Sequence, residues 1–380
     1  MKIPNKLTLS FRKIKILGWK LVRTFVRKFP GLFKGEKVSM SVSDANNFLI
    51  QLYPDVASTC RCNNSVDNNF QYDLHIIISA YNVEKYINKC IDSILEQHTQ
   101  YSYLITVVND GSKDATRENL KRYESLTNVE IIDQDNKGYS GARNTALNHI
   151  KGRYLMFVDS DDYLEEGAIE ILLNNAINNK ADIVQGSVNH IDDKNKLLYR
   201  KRLKSKMSSL PGEVDIMSQP WGKVFKSEVF KNVCFPEGYW YEDTITKFIL
   251  VPNSNLKISI SDIVYNYRHH SGTVMRQNKN PYKELDGLYV TRNVLMDYLA
   301  KNKINEYLHD HFLHQVKFCT GLISKINDEI TKISVFIILK SLYDTHFRSL
   351  GYKSKKFPII QKALEEGDYK LYCIGCKYYT

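Results

Sequence analysis

A mostly parallel α/β sheet flanked by helices is the fold class this sequence predicts, and three features carry that prediction. Between residues 73 and 160, apolar runs of strand length alternate four times with helix-patterned segments. Such alternation builds βαβ units and so a doubly wound, Rossmann-like sheet. Two of the runs end in acidic turn residues, Asn109-Asp110-Gly111-Ser112 and Asp159-Ser160-Asp161-Asp162. Ligands of open α/β sheets sit outside the carboxyl ends of the strands, so both endings point into one crevice.

Each element has its own local reason. In residues 1–37, Phe11, Ile14, Leu17, Leu21, Phe25 and Phe29 recur at helical spacing with basic residues between them. This is a basic amphipathic helix, with Trp19 as an interfacial anchor, and it predicts peripheral contact with an anionic membrane on the cytoplasmic face. A basic helix packed on its own domain gives the same pattern. Residues 38–72, with Asn63, Asn64, Asn68 and Asn69, read as a linker carrying one short helix near 47–53. Residues 74–80 form the first buried strand, and Val83, Tyr86, Ile87, Cys90, Ile91, Ile94 and Leu95 the apolar stripe of the next helix. Strands follow at 103–108, 129–132, 154–158 and 181–186, with helices at 114–125 and 138–150. Residues 220–270 mix short apolar runs with aromatics, and 281–350 read as mainly helical.

Composition narrows the function classes. The chain has 380 residues, 43% hydrophobic and 25% charged, as in a soluble globular protein. Of the net charge of +11, +10 lies in residues 1–37, so the rest carries no nucleic-acid footprint. Seven cysteines make no even disulfide framework and fit a reducing compartment. Cys60-x-Cys62 and Cys373-x-x-Cys376 have zinc-pair character but lie at opposite ends of the chain, and incidental thiols are the preferred reading. The longest apolar stretch, 333–339, is far short of a membrane span and reads as a buried helix turn or strand. Charges interrupt the amino-terminal segment too often for a secretory signal.

The carboxylates carry the chemistry. Residues two apart on an extended segment share a face, so Asp159 and Asp161 can address one ligand. A hard cation, Mn²⁺ or Mg²⁺, suits them, because such ions bridge protein carboxylates to substrate phosphates. Asp162 is placed to cap the helix that follows. Asp110 can accept from a nucleobase or ribose, although Asn-Asp-Gly-Ser is equally strong turn chemistry. No glycine-rich phosphate loop occurs, which disfavours dehydrogenases and P-loop enzymes. Trp221, Trp240 and Tyr241 offer flat faces for sugar rings or for a core. The pair Glu242-Asp243 is, by itself, a solvated turn or an N-cap.

Several segments together resemble family 2 glycosyltransferases with the GT-A fold. They are Ile77-Ile-Ser-Ala-Tyr-Asn82-Val-Glu84-Lys-Tyr86, Val107-Val-Asn-Asp110-Gly-Ser112-Lys-Asp114, Gly138-Tyr-Ser-Gly-Ala-Arg143-Asn144 and Phe157-Val-Asp159-Ser-Asp161-Asp162. Trp221-Gly-Lys223, Phe235-Pro-Glu-Gly238, Tyr241-Glu242-Asp243 and Tyr267-Arg268 extend the likeness to about residue 275.

The resemblance implies a nucleotide-diphosphate sugar donor, of which UDP-hexose is the favoured form, and inversion in one displacement at the anomeric carbon. Tyr81 and Asp110 would then hold the nucleoside, with Glu84 on the donor side. Asp159 would meet ribose or metal, and Asp161 the Mn²⁺ or Mg²⁺ that neutralises the leaving diphosphate. Arg143 would approach the donor, or else pair with nearby acids. Glu242-Asp243 falls at the catalytic base, with Asp243 taking the acceptor proton. Of His269 and His270, His269 is assigned as a third metal ligand, and Trp221 and Trp240 are placed at the acceptor. Ser79, Ala80 and Asn109 depart from the family's usual residues without removing a proposed ligand.

The domain expectation is a segment 1–72, a catalytic region 73–275 divided at 200 into donor and acceptor halves, and a helical region 276–380 that completes the fold or a homodimer contact. The expected acceptor is a glycan or lipid-linked hydroxyl in surface polysaccharide synthesis. A sugar nucleotidyltransferase and a silent carbohydrate-binding protein are the alternatives.

Overall fold

A computed structural model describes residues 39–64, 66, 69–270 and 280–378. The expected amphipathic helix of residues 1–37 lies outside them. The chain divides into two compact units, one formed by Val56–Lys279 with Asn293–Lys301 and the other by the remaining residues.

The first unit is built on a single sheet. Its strands are β1 (Tyr72–Ala80), β2 (Tyr103–Asp110), β3 (Val129–Gln134), β4 (Gly152–Asp159), β5 (Tyr163–Leu164), β6 (Ile183–Asp192), β7 (Leu197–Lys201), β8 (Lys206–Ser208), β9 (Lys223–Lys226) and β10 (Lys257–His269). The order is β3-β2-β1-β4-β9-β6-β10-β5, with β7 beside β6 and β8 beside β10. The expected parallel sheet is realised in β3-β2-β1-β4, where every pairing is parallel. Beyond β4 the sheet is mixed, since β9 runs antiparallel to both β4 and β6, while β6 and β10 are parallel.

Both faces of β1, β2 and β4 are covered, which explains their near-continuous apolar runs. Alternate residues Leu74, Ile76, Ile78, Ile105, Val107, Met156 and Val158 join one core with Ile87, Ile91 and Ile94 of helix Ile87–Leu95 and Leu172 and Leu173 of helix Ala168–Asn179. On the other parity Phe157 meets Phe225, Phe230 and Phe235 at ring-centroid distances of 6.2, 5.5 and 5.3 Å. Helix Thr116–Leu120 is shorter than the sequence pattern suggests and tightens into a 3₁₀ turn, Lys121–Tyr123. Helix Gly138–Leu147 follows β3 and packs on β1 and β2. Asp162 does not cap the helix after β4. That helix begins at Ala168 behind Gly167, whose φ of 73° a glycine adopts without strain.

The second unit is helical in its described residues. Helix Val42–Leu52 packs on Glu329–His346, so the short helix expected within a linker belongs instead with carboxyl-terminal helices. Arg292 holds Asn46 and Asp55, and the Tyr289 hydroxyl donates to the Tyr53 carbonyl at 2.7 Å. The apolar stretch 333–339 lies inside Glu329–His346, and Val335 through Leu339 are buried there. No helix among the described residues is long and apolar enough to cross a membrane.

Candidate active site

Parallel pairing sets the first part of the site. Ala80 pairs with Asn109 and Ser79 with Asp159, so three strand ends open side by side. Their loops are latched together by polar bonds. Asn82, at φ 51°, donates its backbone N–H to Ser112 Oγ at 3.1 Å and accepts from the Lys113 N–H at 2.8 Å. Glu84 accepts from the Ala115 N–H at 2.9 Å, so the structure gives this expected donor-side residue a loop-bracing contact. Tyr81, the residue after β1, is 44% exposed.

Asp110 is buried, and its Oδ1 accepts from Gln134 Nε2 at 2.6 Å and the Lys137 N–H at 2.8 Å. No bond among the described residues uses Oδ2. Asp110 thus ties the end of β2 to the loop that enters helix Gly138–Leu147, and one oxygen remains for a ligand.

Arg143 lies on that helix, buried, and joins two distant parts of the chain. Its Nη1 donates to Glu242 Oε1 at 2.5 Å and its Nη2 to Asp159 Oδ1 at 2.8 Å. Burial opposes its charge, but Asp159 and Glu242 outweigh that and raise its pKa above the ordinary value. The next residue, Asn144, clamps the Phe235-Pro236-Glu237 stretch, accepting from the Phe235 N–H and donating to the Phe235 carbonyl, both at 2.8 Å. Two motifs almost a hundred residues apart therefore form one wall.

Glu242 and Asp243 stand at the entry to a short helical segment that continues into Thr246–Leu250. Tyr241, immediately before them, has φ 67°. A bulky residue in the left-handed region is strained, and such strain concentrates at functional sites. Asp243 is half-buried, and burial, followed by the like charge of Glu242, raises its pKa to about 7, against the pull of Arg143 and Lys223. Lys223, wholly buried, donates to the carbonyls of Met217 and Gln219. Burial holds its pKa well below the usual lysine value.

The end of β4 is organised by β10. The Asp159 N–H donates to the Tyr265 hydroxyl at 3.0 Å, and buried Asp162 accepts from the Arg268 N–H at 2.7 Å. Arg268 Nε donates to the Asp161 carbonyl at 2.8 Å, while its guanidinium lies over Tyr86. His270 Nε2 donates to Asp161 Oδ2 at 2.7 Å. Burial and the neighbouring Asp161 and Asp159 push the Asp162 carboxyl well above the carboxylate range. For Asp159 burial also raises the pKa, with Arg143 opposing it.

His270, not His269, therefore reaches Asp161. Successive side chains of a strand point to opposite faces, so Arg268 and His270 share the face toward Asp161. His269 goes with Tyr267 to the other face, where its Nε2 lies 2.9 Å from His190 Nδ1. Trp221 is likewise turned inward. Only 6% exposed, it stacks on Tyr265 at 4.9 Å and 7° and on Tyr267 at 5.2 Å and 23°, and so belongs to the core. Trp240 is half-buried and meets Tyr241 edge-on at 6.4 Å, beside the acidic pair. Reasoning from sequence missed the tie made by Arg268, although the residue stood in a quoted motif, and it missed Gln134 entirely.

Asp161, Asp159 and His270 supply carboxylate oxygens and an imidazole nitrogen, a donor set that suits Mn²⁺. Among the described residues no group of three or more His, Cys, Asp or Glu is gathered into a metal cage. Cys60 and Cys62 lie by Cys234, and all the cysteines are free thiols.

Comparison with known proteins bears on the sequence family and the fold. The model of the family Glycosyl transferase family 2 matches residues 75–233. Glycosyltransferase GlyA of Streptococcus pneumoniae serotype 4 is 33% identical over 217 residues, covering 53% of this chain and 31% of GlyA, so the chain spans about a third of that relative. Glycosyltransferase GlyG of the same organism is 29% identical over 220 residues, 53% of this chain and 73% of GlyG. The crystal structure of S. aureus TarS 1-349 superposes with a TM-score of 0.60 at 17% identity, covering 81% of this chain and 91% of that one. At that identity the likeness is one of fold. Motifs and relatives converge on one region, and residues 75–233 are a Glycosyl transferase family 2 region, in a chain whose fold is that of TarS 1-349.

Proposed function

We propose that the protein transfers a sugar from a nucleotide-diphosphate donor to a hydroxyl of a glycan or lipid-linked acceptor, with inversion, in surface polysaccharide synthesis. One observation carries the reading: a single buried guanidinium, Arg143, bonds both Asp159 of the strand-end acids and Glu242 of the later acidic pair. The donor-side carboxylates and the residue suited to proton transfer are thereby fixed in one frame, as a direct displacement requires. The relatives support the setting, since they include the Minor teichoic acid biosynthesis protein GgaB of Bacillus subtilis. S. aureus TarS 1-349, a fold neighbour, has a crystal structure in complex with UDP-GlcNAc.

In this reading Tyr81 and the remaining oxygen of Asp110 receive the nucleoside, and Asp243 accepts the acceptor proton. A carboxylate with a pKa near 7 is a competent base at neutral pH. Glu242, paired to Arg143, orients that turn. Asp161, Asp159 and His270 would hold a divalent cation, which supplies charge neutralisation of the leaving diphosphate. Arg268 and Tyr265 fix the backbone from which those ligands project.

The test is release of nucleoside diphosphate from a panel of nucleotide sugars with Mn²⁺, with and without a hydroxyl acceptor. Acceptor-stimulated release is expected from at least one donor. Release of pyrophosphate, or tight donor binding with no turnover, would contradict the reading.

A further inference from the structure

The ribbon from Lys194 to Leu210, which takes no part in the site just described, combines cations with exposed apolar side chains. It holds seven Lys or Arg residues, and no Asp or Glu occurs from residue 194 through 212. Its only ion pair among the described residues is a loose one, Lys206 to Glu213 at 4.0 Å. Thirteen large apolar side chains are exposed in the described structure, and five lie here, namely Leu197 41%, Leu198 51%, Tyr199 53%, Met207 51% and Leu210 58%. All five residues of β7 are exposed, so side chains on both of its faces are open.

An edge strand often carries lysines to prevent edge-to-edge pairing. That reading accounts for the charges but not for the leucines, tyrosine and methionine among them, which would defeat the protection. A soluble polyanion would likewise need cations without exposed apolar side chains. Unpaired cations interleaved with exposed apolar groups match an anionic bilayer surface, where cations meet headgroups and apolar groups enter the acyl boundary.

The ribbon is also rooted beside the strand ends. β7 pairs with β6 through His190 and Tyr199, and these rings stack at 4.2 Å. His190 lies 2.9 Å from His269, whose neighbour His270 reaches Asp161.

We infer that residues 194–210 form a docking surface for an anionic lipid leaflet, which would bring the strand-end site to lipid-linked substrates. The surface is argued from the ribbon alone, and binding is measured apart from turnover, so the failure of either reading is distinguishable from that of the other.

The test is co-sedimentation of the full chain with vesicles of phosphatidylglycerol and phosphatidylcholine, against pure phosphatidylcholine. Two variants are compared, Lys201→Glu with Arg202→Glu and Lys204→Glu, and Leu198→Ser with Met207→Ser and Leu210→Ser. Each cation near an anionic surface is worth about fivefold in partitioning, so the charge variant is expected to bind anionic vesicles at least about tenfold more weakly. The apolar variant should lose at least about threefold. Melting temperature and turnover on a water-soluble acceptor should stay at wild-type values in both. Vesicle binding unchanged in both variants would overturn the inference and leave residues 1–37 as the carrier. A loss in the charge variant alone, matched by lost binding to soluble polyphosphate, would replace the membrane by a polyanion and equally overturn it.

Discussion

The two halves of the sheet reach the site by different means. In β3-β2-β1-β4, parallel register alone brings Asp110 and Asp159 to one edge. In β9-β6-β10-β5, mixed directions and two register shifts in β10 make the position of each side chain depend on remote contacts. The first half supplies carboxylates, and the second decides what they face: Arg268 and His270 at Asp161, Glu242 and Asp243 across Arg143. Local sequence order is enough to place the strand-end acids, whereas their partners are set by residues far along the chain.

Removing the bridge between the halves should have the largest effect. Arg143→Ala leaves buried Glu242 and half-buried Asp159 without their common partner, and breaking a buried ion pair on one side costs about 3–5 kcal/mol. Urea unfolding should report a loss of that size. Arg143→Lys should recover only part of it, since one ammonium cannot match a guanidinium that spans two carboxylates. A loss below about 1 kcal/mol would mean that the halves are held by packing alone.

A second change probes the regular half by itself. A Cβ on Gly152 would lie 2.3 Å from the His75 backbone nitrogen and 2.6 Å from the Leu74 carbonyl carbon, both in β1. Neither atom is a flexible side-chain end, so Gly152→Ala should destabilise by about 1–3 kcal/mol in thermal melts. If the β1–β4 register is as described, a denaturant titration of this variant should also show an unchanged slope.

The two histidines give the smallest and most discriminating contrast. His270→Ala should raise the Mn²⁺ concentration needed for half-maximal turnover about tenfold, the lower end for groups that support a metal site. His269→Ala, with its ring against His190, should change it by less than about threefold. Equal effects would remove the parity argument on which the assignment of His270 rests.

How much of this was legible follows from the same division. Apolar runs, two of them with acidic ends, gave β1, β2 and β4 to within a few residues, because burial on both faces leaves a continuous signal. Asp159, Asp161 and Asp110 were legible for the same reason: their positions follow from where strands stop. His269 was chosen over His270 because the parity of β10 depends on register shifts that no local pattern reveals. Trp221 was expected at a sugar ring, since nothing in its neighbourhood announces the stacking partners Tyr265 and Tyr267, more than forty residues away. The strain at Tyr241 was invisible as well, because a tyrosine gives no hint of positive φ. Glu242-Asp243 was placed by family resemblance, and its pairing with Arg143 became evident only with the helix and the turn in one frame.

Asp243 is the proposed base, and its burial beside Glu242 raises its pKa to about 7. A base works when deprotonated, so turnover at saturating donor should rise with pH through an acid limb near that value. The decisive measurement is this pH profile for the wild type and for Asp243→Asn, with donor affinity measured in parallel. Turnover in the variant should fall at least about 100-fold, the low end for general-base catalysis, and the residual rate should lack the acid limb while donor affinity is kept. Near-native turnover in Asp243→Asn, or an acid limb that survives the substitution, would contradict the account.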